Sequence, residues 1–344
     1  YVEVQEDIEE LCESLSIAGF EVDSIEDMGK SVEEIIIGFV EKVEKHPNAD
    51  KLKVCQVTIG NGKTLQIVCG ASNVKSKTHV LVAQVGTYLP AIGLKIKKSD
   101  IRGVTSSGMI CSYDELGLAN GSQGIAILEE LNNGEPKVGK SPKEILNLND
   151  TVIELAITAN RPDGMSIVGI AREIAALRNL KFNYKQSEEY KEYKIFNSLN
   201  NNQTAIKANG IYSLHYIEGV DGSVSSPKWI KERLSKAGIN SINAIVDITN
   251  YVMLETGQPL HAFDVDRLNE LLGHDININD IQVQNSKDEQ SFIGIDGKKY
   301  CLNKECNIIS CKDIPIALAG VIGSENSSVK KTTKRIIVEA ALFS

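Results

Sequence analysis

Several polar side chains interrupt an apolar stretch in the last third of the sequence. In NAIVDITNYVMLETGQPLHAFD, residues 243–264, the groups that could do chemistry are Asp247, Thr249, Asn250 and His261. A hydroxyl, an amide and an imidazole can hold water or an ester by hydrogen bonds, and a histidine of ordinary pKa can also transfer a proton near neutral pH. The stretch is therefore either a core helix followed by a satisfied histidine or one wall of a site.

A second candidate is the carboxylate of Glu339. It is flanked by Ile-Ile-Val and by Ala-Ala-Leu-Phe, which predicts a buried strand. A buried carboxylate without a partner costs folding free energy. We therefore expect Glu339 to contact a ligand or a partner rather than to serve the fold alone.

The elements around these residues follow from helix and turn signals. The helix that carries Asp247 and Asn250 should end at Gly257, because Pro259 lies just beyond it. The two residues are three apart and share a face of the helix. His261 follows the turn and could fold back towards that face. The alternative is that Asn250 only caps backbone groups or bonds to Asp247.

Residues 39–148 show short alternating runs with turn signals, such as LKVCQVTIGNGKTLQIVCG, and predict a small barrel of the OB type. This segment carries fourteen Lys and Arg against ten Asp and Glu, whereas residues 1–38 carry twelve acids against one lysine. A polyanion would therefore meet the barrel. Solvated strand faces are the alternative for its candidate phosphate contacts, which are Lys51, Lys53, Lys75, Lys77, Lys95, Lys97, Lys98 and Arg102.

The flanks of the barrel predict a further domain. Residues 1–38 and 149–190 each combine a helical pattern with a strand, so the barrel is expected as an insertion into a split α+β domain. The polar residues 186–206 should join it to the next domain. There, Ser226 is expected to cap a helix, with Trp229 facing inward.

No metal or nucleotide site is predicted for this chain. The seven cysteines are scattered and odd in number, which favours a reducing cytosol. Cys301, Cys306 and Cys311 are too widely spaced for a zinc knuckle. GEPKVGKS, residues 134–141, matches the phosphate-loop pattern, but a short helix with Pro142 follows it. No apolar run is long enough to span a membrane.

Larger blocks of the sequence resemble known families. VEKHPNADKLKVCQVTIG, IVCGASNV and RGVTSSGMICSYDELGL resemble the tRNA-binding OB module of several tRNA synthetases. ITANRPDGMSIVGIAREIAAL, INAIVDITNYVMLETGQPLHAFD, ALAGVIG and IIVEAALF resemble the bacterial phenylalanyl-tRNA synthetase beta subunit. The order of the blocks also fits that family, and together they cover nearly the whole chain.

The resemblance implies a piece of a longer cytoplasmic protein. It implies a multidomain α+β chain, with an OB-fold β-barrel (39–148) inserted into a split α+β domain (1–38 plus 149–190), followed by an α/β editing domain (205–344). The partners implied are tRNA(Phe) and an alpha subunit in an (αβ)2 heterotetramer, with neither membrane nor DNA. Aminoacylation, with ATP and Mg, would belong to the holoenzyme, and this fragment would need no cofactor.

The resemblance also implies roles for the candidate residues. Glu339 should accept the phenolic hydroxyl of a mischarged tyrosine, and Ala319 and Gly320 should let the backbone approach the substrate. Thr249, Asn250 and His261 should line the end that holds the tRNA adenosine and the ester. A phenylalanine pocket cannot strongly reject an isostere that adds a hydroxyl, which is why a second, hydrolytic site is expected. A non-catalytic tRNA-binding module and a structural scaffold are the alternatives.

Overall fold

The computed structural model describes residues 1–5, 7–118, 121, 124–131, 133–184, 202–207 and 210–343. They form two compact units, one made of residues 1–23 and 155–344 and the other of residues 24–154. Most of the predicted joining segment lies outside the described residues. Its last residues belong instead to a strand, Asn202–Lys207.

The chain contains five α-helices and twenty-one strands within the described residues. The helices are α1 (Ile8–Ile17), α2 (Ile167–Arg178), α3 (Lys228–Lys236), α4 (Ala244–Thr256) and α5 (Val265–Leu272). The strands up to the second helix are β1 (Glu21–Asp27), β2 (Ile35–Lys45), β3 (Lys53–Thr58), β4 (Thr64–Cys69), β5 (His79–Gln84), β6 (Tyr88–Leu89), β7 (Leu94–Lys95), β8 (Ser99–Ile101), β9 (Val104–Ser106), β10 (Gly108–Cys111) and β11 (Thr151–Ala156). Those after it are β12 (Asn202–Lys207), β13 (Gly210–Glu218), β14 (Leu260–Asp264), β15 (Ile281–Asn285), β16 (Ser291–Ile293), β17 (Lys299–Cys301), β18 (Asn307–Cys311), β19 (Ile314–Leu318), β20 (Ile322–Gly323) and β21 (Arg335–Phe343).

The unit of residues 24–154 is a nearly closed barrel. Its five-stranded sheet has the order β10-β5-β2-β3-β4, and the paired neighbours are antiparallel. The open side is narrowed where the Ser107 N–H donates to the Gln66 carbonyl at 2.8 Å and the Val68 N–H donates to the Ser106 hydroxyl at 3.1 Å. The small barrel predicted from short alternating strands is therefore present.

The first half of strand β2 is buried on both faces. Ile35 and Ile37 pack in one apolar cluster, and Val40 packs in the other. The predicted domain boundary at residue 39 falls inside this strand, because the apolar run that begins at Ile35 contains no turn signal. The GEPKVGKS segment lies along β2, where Ile37 exchanges backbone hydrogen bonds with Gly139 and Lys140. It is thus an extended segment followed by turns, rather than a loop between a strand and a helix.

The described residues of the other unit contain two four-stranded antiparallel sheets and the two-stranded sheet β16-β17. The first has the order β12-β13-β21-β14 and the second has the order β15-β18-β19-β20. Helix α4 packs on the first sheet through a cluster that contains Ile245, Ala262 and Ile336. The opposite face of that sheet contributes Phe263 and Ile337 to a core shared with α5 and the second sheet. Since the strands are antiparallel, the expected α/β class of this region is corrected to α+β.

Helices α1 and α2 belong to the same compact unit. The Asp7 carboxylate caps α1 and the Ser166 hydroxyl caps α2, each by accepting a backbone N–H. Arg161 donates to the carbonyl of Ala18, just after α1, at 2.7 Å. Strands β1 and β11 pair in a two-stranded sheet.

Two local predictions on α3 are wrong. Pro227 occupies the N-cap position, and the hydroxyl of Ser226 donates instead to Asp247. Trp229 is half exposed and meets Tyr251 edge to face at a centroid distance of 5.1 Å. Among the described residues, no helix combines the length and the apolar character needed to cross a membrane.

Candidate functional site

The candidate site is built on two neighbouring strands. Glu339 lies on β21 and His261 lies on β14, and the two residues are directly opposite in the antiparallel register. Side chains alternate between the faces of a strand, so both share the face that carries Phe263 and Ile337. Directly opposite residues on one face have Cβ atoms about 4.5–5.5 Å apart. The strand pairing therefore places the imidazole of His261 beside the carboxylate of Glu339.

A cavity of about 300 Å³ opens over this pair. Its remaining walls come from the turn between β19 and β20, from the ends of β14 and β21, and from the loop after β16. The lining residues are Pro259, Leu260, His261, Ile295, Ile309, Ala317, Leu318, Gly320, Val321, Ile322, Gly323, Glu339, Ala341 and Phe343. An apolar chamber of this size with two polar groups at one wall is typical of a site for a small ligand or a single side chain.

The two polar groups respond to burial in opposite directions. Burial raises the pKa of Glu339 to about 7, because the carboxylate loses hydration without gaining a positive partner. Burial lowers the pKa of His261 to about 4 for the same reason. At neutral pH the imidazole is therefore uncharged and Glu339 is divided between its acid and its carboxylate. Among the described residues, His261 Nε2 has no hydrogen-bond partner.

Two glycines allow the chain to approach these groups closely. Gly320 has a φ of 70°, in the left-handed region, at the turn that closes the cavity. At Gly323, an added Cβ would lie 2.6 Å from Cε1 and 2.7 Å from Nε2 of His261. The imidazole thus fills the space that any side chain at position 323 would need. His261 also meets the ring of Phe263 edge to face at 4.7 Å.

Three of the predicted residues do not line the cavity. Thr249 and Asn250 lie on α4, which packs against the opposite face of the sheet. The hydroxyl of Thr249 donates to the carbonyl of Val246 at 2.7 Å. Ala319 lies in the closing turn, where its N–H donates to the carbonyl of Asn307 at 3.0 Å. Thr249 and Asn250 are close to His261 along the chain, but the packing of α4 places them on the other side of the sheet.

Asp247 has a structural role. It is fully buried and accepts hydrogen bonds from the hydroxyls of Ser226 and Ser241 and from the Ile242 N–H at 2.8 Å. Burial opposes its ionisation, but these hydrogen bonds outweigh that effect and lower its pKa. Asp247 therefore joins α4 to the chain around α3. None of these hydrogen bonds comes from Asn250, contrary to the alternative left open above.

The barrel presents most of its predicted phosphate contacts to solvent. The exposed ones lie on the loops and short hairpins of the unit. They are Lys51, Lys75, Lys77, Lys95, Lys97, Lys98 and Arg102. Lys53 differs, because its ammonium group donates to the carbonyls of Ser72 at 3.0 Å and Val74 at 3.1 Å. The structure therefore gives Lys53 a role in holding the loop between β4 and β5.

The described residues contain no cluster of three or more His, Cys, Asp or Glu side chains that could hold a metal ion. The seven cysteines are free thiols, and Cys301 is exposed while Cys311 is buried.

Sequence reasoning missed one residue of the site and one residue beside it. Gly323 lines the cavity, and its contact with His261 depends on the fold of β20. Tyr212 was not considered at all, although its hydroxyl is buried without a partner and the Glu339 charge acts on it. Its strand, β13, lies more than a hundred residues before β21, so no local pattern signals the contact.

Comparison with known proteins agrees with this architecture. The family described as "Putative tRNA binding domain" matches residues 35–136, which covers the barrel. The family described as "B3/4 domain" matches residues 208–344, which covers the two sheets and the cavity. The C-terminal domain of Plasmodium vivax p43 matches 31% of this chain and 57% of its own at 28% identity, with a TM-score of 0.22 that carries no structural argument.

Curated relatives match along the whole sequence. The phenylalanine–tRNA ligase beta subunit of Prochlorococcus marinus is 51% identical over 344 residues, which are 100% of this chain and 41% of the relative. That of Parasynechococcus marenigrum is 49% identical over 343 residues, with 100% and 42% covered. The chain thus spans about two fifths of the length of these relatives. Across its length, it belongs to the family of phenylalanine–tRNA ligase beta subunits.

Proposed function

We propose that residues 205–344 hydrolyse the ester of mischarged Tyr-tRNA(Phe), and that the barrel binds the tRNA. The observation that carries the proposal is the buried Glu339 carboxylate at the wall of an apolar cavity, beside His261. A buried carboxylate without a hydrogen-bond donor costs folding free energy. A ligand that donates a hydrogen bond to the Glu339 carboxylate offsets this cost, and the phenolic hydroxyl of tyrosine is such a donor.

The cavity suits the discrimination between tyrosine and phenylalanine. Its apolar lining would hold either aromatic ring, but only tyrosine offers the hydroxyl that Glu339 accepts. A site that hydrogen-bonds a substrate hydroxyl rejects the analogue that lacks it far better than an apolar pocket rejects the larger isostere. Glu339 would therefore select the wrong amino acid for hydrolysis and spare the correct one.

His261 would act on the ester end of the same substrate. Its Nε2 is buried, uncharged at neutral pH and free to hold a water molecule. That water would attack the ester carbonyl carbon, the bond from this carbon to the ribose oxygen would break, and a proton from the water would pass to the departing ribose oxygen, which leaves free tyrosine and a ribose hydroxyl. With its pKa lowered to about 4, the imidazole is a weak base, so orienting the water would be its main contribution.

The rest of the proposal concerns the protein to which this chain belongs. We infer an assembly with an alpha subunit as an (αβ)2 heterotetramer in the cytoplasm, in which the alpha subunit aminoacylates tRNA(Phe) with ATP and Mg. Asn250 remains a candidate contact for the terminal adenosine outside the cavity. Thr249 is left with the hydrogen bond it makes inside α4.

The test compares hydrolysis of Tyr-tRNA(Phe) and Phe-tRNA(Phe) by the whole ligase. A hydrogen bond to a charged group is worth about 1.5–3 kcal/mol, so Glu339→Ala should slow tyrosyl ester hydrolysis by about ten- to a hundredfold. Phenylalanyl ester hydrolysis should change little. His261→Ala should slow both esters, because it acts at the end they share. Glu325→Ala, at an exposed carboxylate on the turn after β20, is the matched control.

The proposal fails if Glu339→Ala slows both esters equally while the fold is intact. A wild-type enzyme that releases tyrosine no faster than the spontaneous rate would instead support the alternative of a non-catalytic tRNA-binding module.

A further inference from the structure

Tyr212 lies behind the candidate site on the strand next to Glu339. In the register of β13 and β21, Leu214 is opposite Glu339 and Tyr212 is opposite Ala341. Tyr212 is therefore the diagonal neighbour of Glu339, two positions along the adjacent strand and on the same face. A tyrosine ring is long enough to bring its hydroxyl to a diagonal neighbour.

The hydroxyl of Tyr212 has lost its hydration without gaining a partner. The residue is 8% exposed, and its oxygen has no hydrogen-bond partner among the described residues. A buried hydroxyl in this condition costs free energy and is usually paired in proteins. The ring itself is fixed by the core, where it packs near Phe343 at a centroid distance of 6.3 Å.

Glu339 is the carboxylate that the strand register places diagonally to Tyr212. Burial raises the pKa of Tyr212, and the negative charge of Glu339 raises it further. His261 on β14 is the other titratable group at the cavity wall, and the loop after β16 and the turn after β19 contribute apolar residues and glycines. At neutral pH the phenol keeps its proton and His261 is uncharged. Tyr212 is therefore a donor available to the ionised carboxylate.

We propose that Tyr212 is a positioning residue for Glu339, its hydroxyl donating a hydrogen bond to one water that in turn donates to the carboxylate. The donated bond stabilises the carboxylate over the acid and orients one oxygen towards β13. The other oxygen then remains free to accept the phenolic hydroxyl of a substrate. The proposal deepens the proposed editing function and rests on it for the identity of that substrate.

The first test is independent of any substrate. In the whole ligase, difference infrared spectroscopy follows the protonated carboxyl band that disappears in Glu339→Gln. Tyr212→Phe removes the donor but keeps the ring, so the titration midpoint of this band should rise by about one pH unit. Tyr216→Phe is the matched control, because Tyr216 is on the same strand and its hydroxyl donates to Glu218 at 2.8 Å.

The second test uses adenosine carrying a tyrosyl or a phenylalanyl group through a 3′-amide, which cannot be hydrolysed as an ester. The wild type should bind the tyrosyl compound more tightly above the Glu339 midpoint. In Tyr212→Phe the same preference should appear only at a pH about one unit higher.

The outcomes separate the two proposals. An unchanged infrared midpoint in Tyr212→Phe overturns the role of Tyr212, whatever the enzyme hydrolyses. Suppose that Tyr212→Phe raises the infrared midpoint but the wild type shows no preference for the tyrosyl compound. This result supports the interaction of Tyr212 with Glu339 and overturns the editing function. If Tyr216→Phe raises the midpoint equally, the effect is general to β13 and the specific contact is rejected.

Discussion

At the scale of single residues, burial makes the stability of the site depend on pH through Glu339 and His261, and the two dependences have opposite directions. Glu339 holds its proton up to a pKa of about 7 in the folded chain, against an ordinary value of 4.5. Between these values, the folded state binds a proton that the unfolded state has released, so stability falls as pH rises. His261, with a pKa lowered from 6.5 to about 4, loses stability as pH falls through that range.

We expect Glu339→Gln to remove the loss of stability at high pH. Between pH 5 and pH 8, the wild type should lose up to about 3 kcal/mol of local stability through this group, since a pKa unit corresponds to about 1.4 kcal/mol. The variant, which mimics the protonated acid, should lose little. Hydrogen exchange of the β14 and β21 amides, corrected for intrinsic rates, measures the difference.

The histidine provides an internal check on this prediction. Between pH 6 and pH 4, Glu339→Gln should lose protection as pH falls, because His261 is still present, whereas in the wild type the proton bound by Glu339 offsets much of that loss. If the wild type and Glu339→Gln show the same dependence from pH 5 to pH 8, Glu339 is not buried as an uncompensated carboxylate.

At the scale of elements, the short strand β20 holds His261 in place. An added methyl group at Gly323 would overlap the imidazole, because its Cβ would lie 2.6 Å from Cε1. We expect Gly323→Ala to displace the ring and to slow hydrolysis of both esters by about tenfold or more, since misplacement by an ångström can cost a hundredfold. The effect should be much smaller when His261 is already Ala, and a double-mutant cycle measures this.

Additive effects in that cycle would contradict the contact between Gly323 and His261. Circular dichroism and thermal unfolding of each variant control for a general loss of structure.

The loop between β4 and β5 is held by the half-buried side chain of Lys53. Its ammonium group makes hydrogen bonds to the carbonyls of Ser72 and Val74. We expect Lys53→Met to destabilise this loop by about 1–3 kcal/mol, because two acceptors lose a charged donor. Exposed Lys51→Met should change stability by less than about 0.5 kcal/mol. Hydrogen exchange of residues 70–78 compares the two variants. Equal protection in Lys53→Met and Lys51→Met would contradict the structural role of Lys53.

At the scale of the whole molecule, the charge of −9 conceals a basic barrel. RNA binding should weaken steeply with salt, because each neutralised phosphate of a single strand contributes about 0.7 to the slope. Replacing Lys95, Lys97 and Lys98 with Ala should lower the slope by about 2. The same change in charge at the exposed Lys298, Lys299 and Lys304 of the other unit should leave it unchanged.

Titration of tRNA(Phe) at several salt concentrations measures these slopes. Equal slopes for the two triple variants would show that the barrel lysines are only a solvated face.

The sequence by itself determined the local elements and the family. The end of α4 at Gly257 and the small antiparallel barrel follow from turn signals and alternation, which act over a few residues. The burial of Glu339 likewise follows from its apolar flanks on β21. The long matching blocks pointed to the beta subunit family because they occur together and in order.

Only the tertiary structure decided which side chains share a site. Thr249 and Asn250 precede His261 closely in sequence, but the pleat of β14 and the packing of α4 place them away from the cavity. Strand register places Tyr212 diagonally to Glu339, and a turn brings Gly323 against His261, although these residues are far apart in the chain. The hydrogen bonds from Lys53 to two backbone carbonyls likewise cannot be predicted from the amino-acid composition. Local patterns set burial and chain direction, whereas contacts across a sheet depend on register and on which face each neighbour covers.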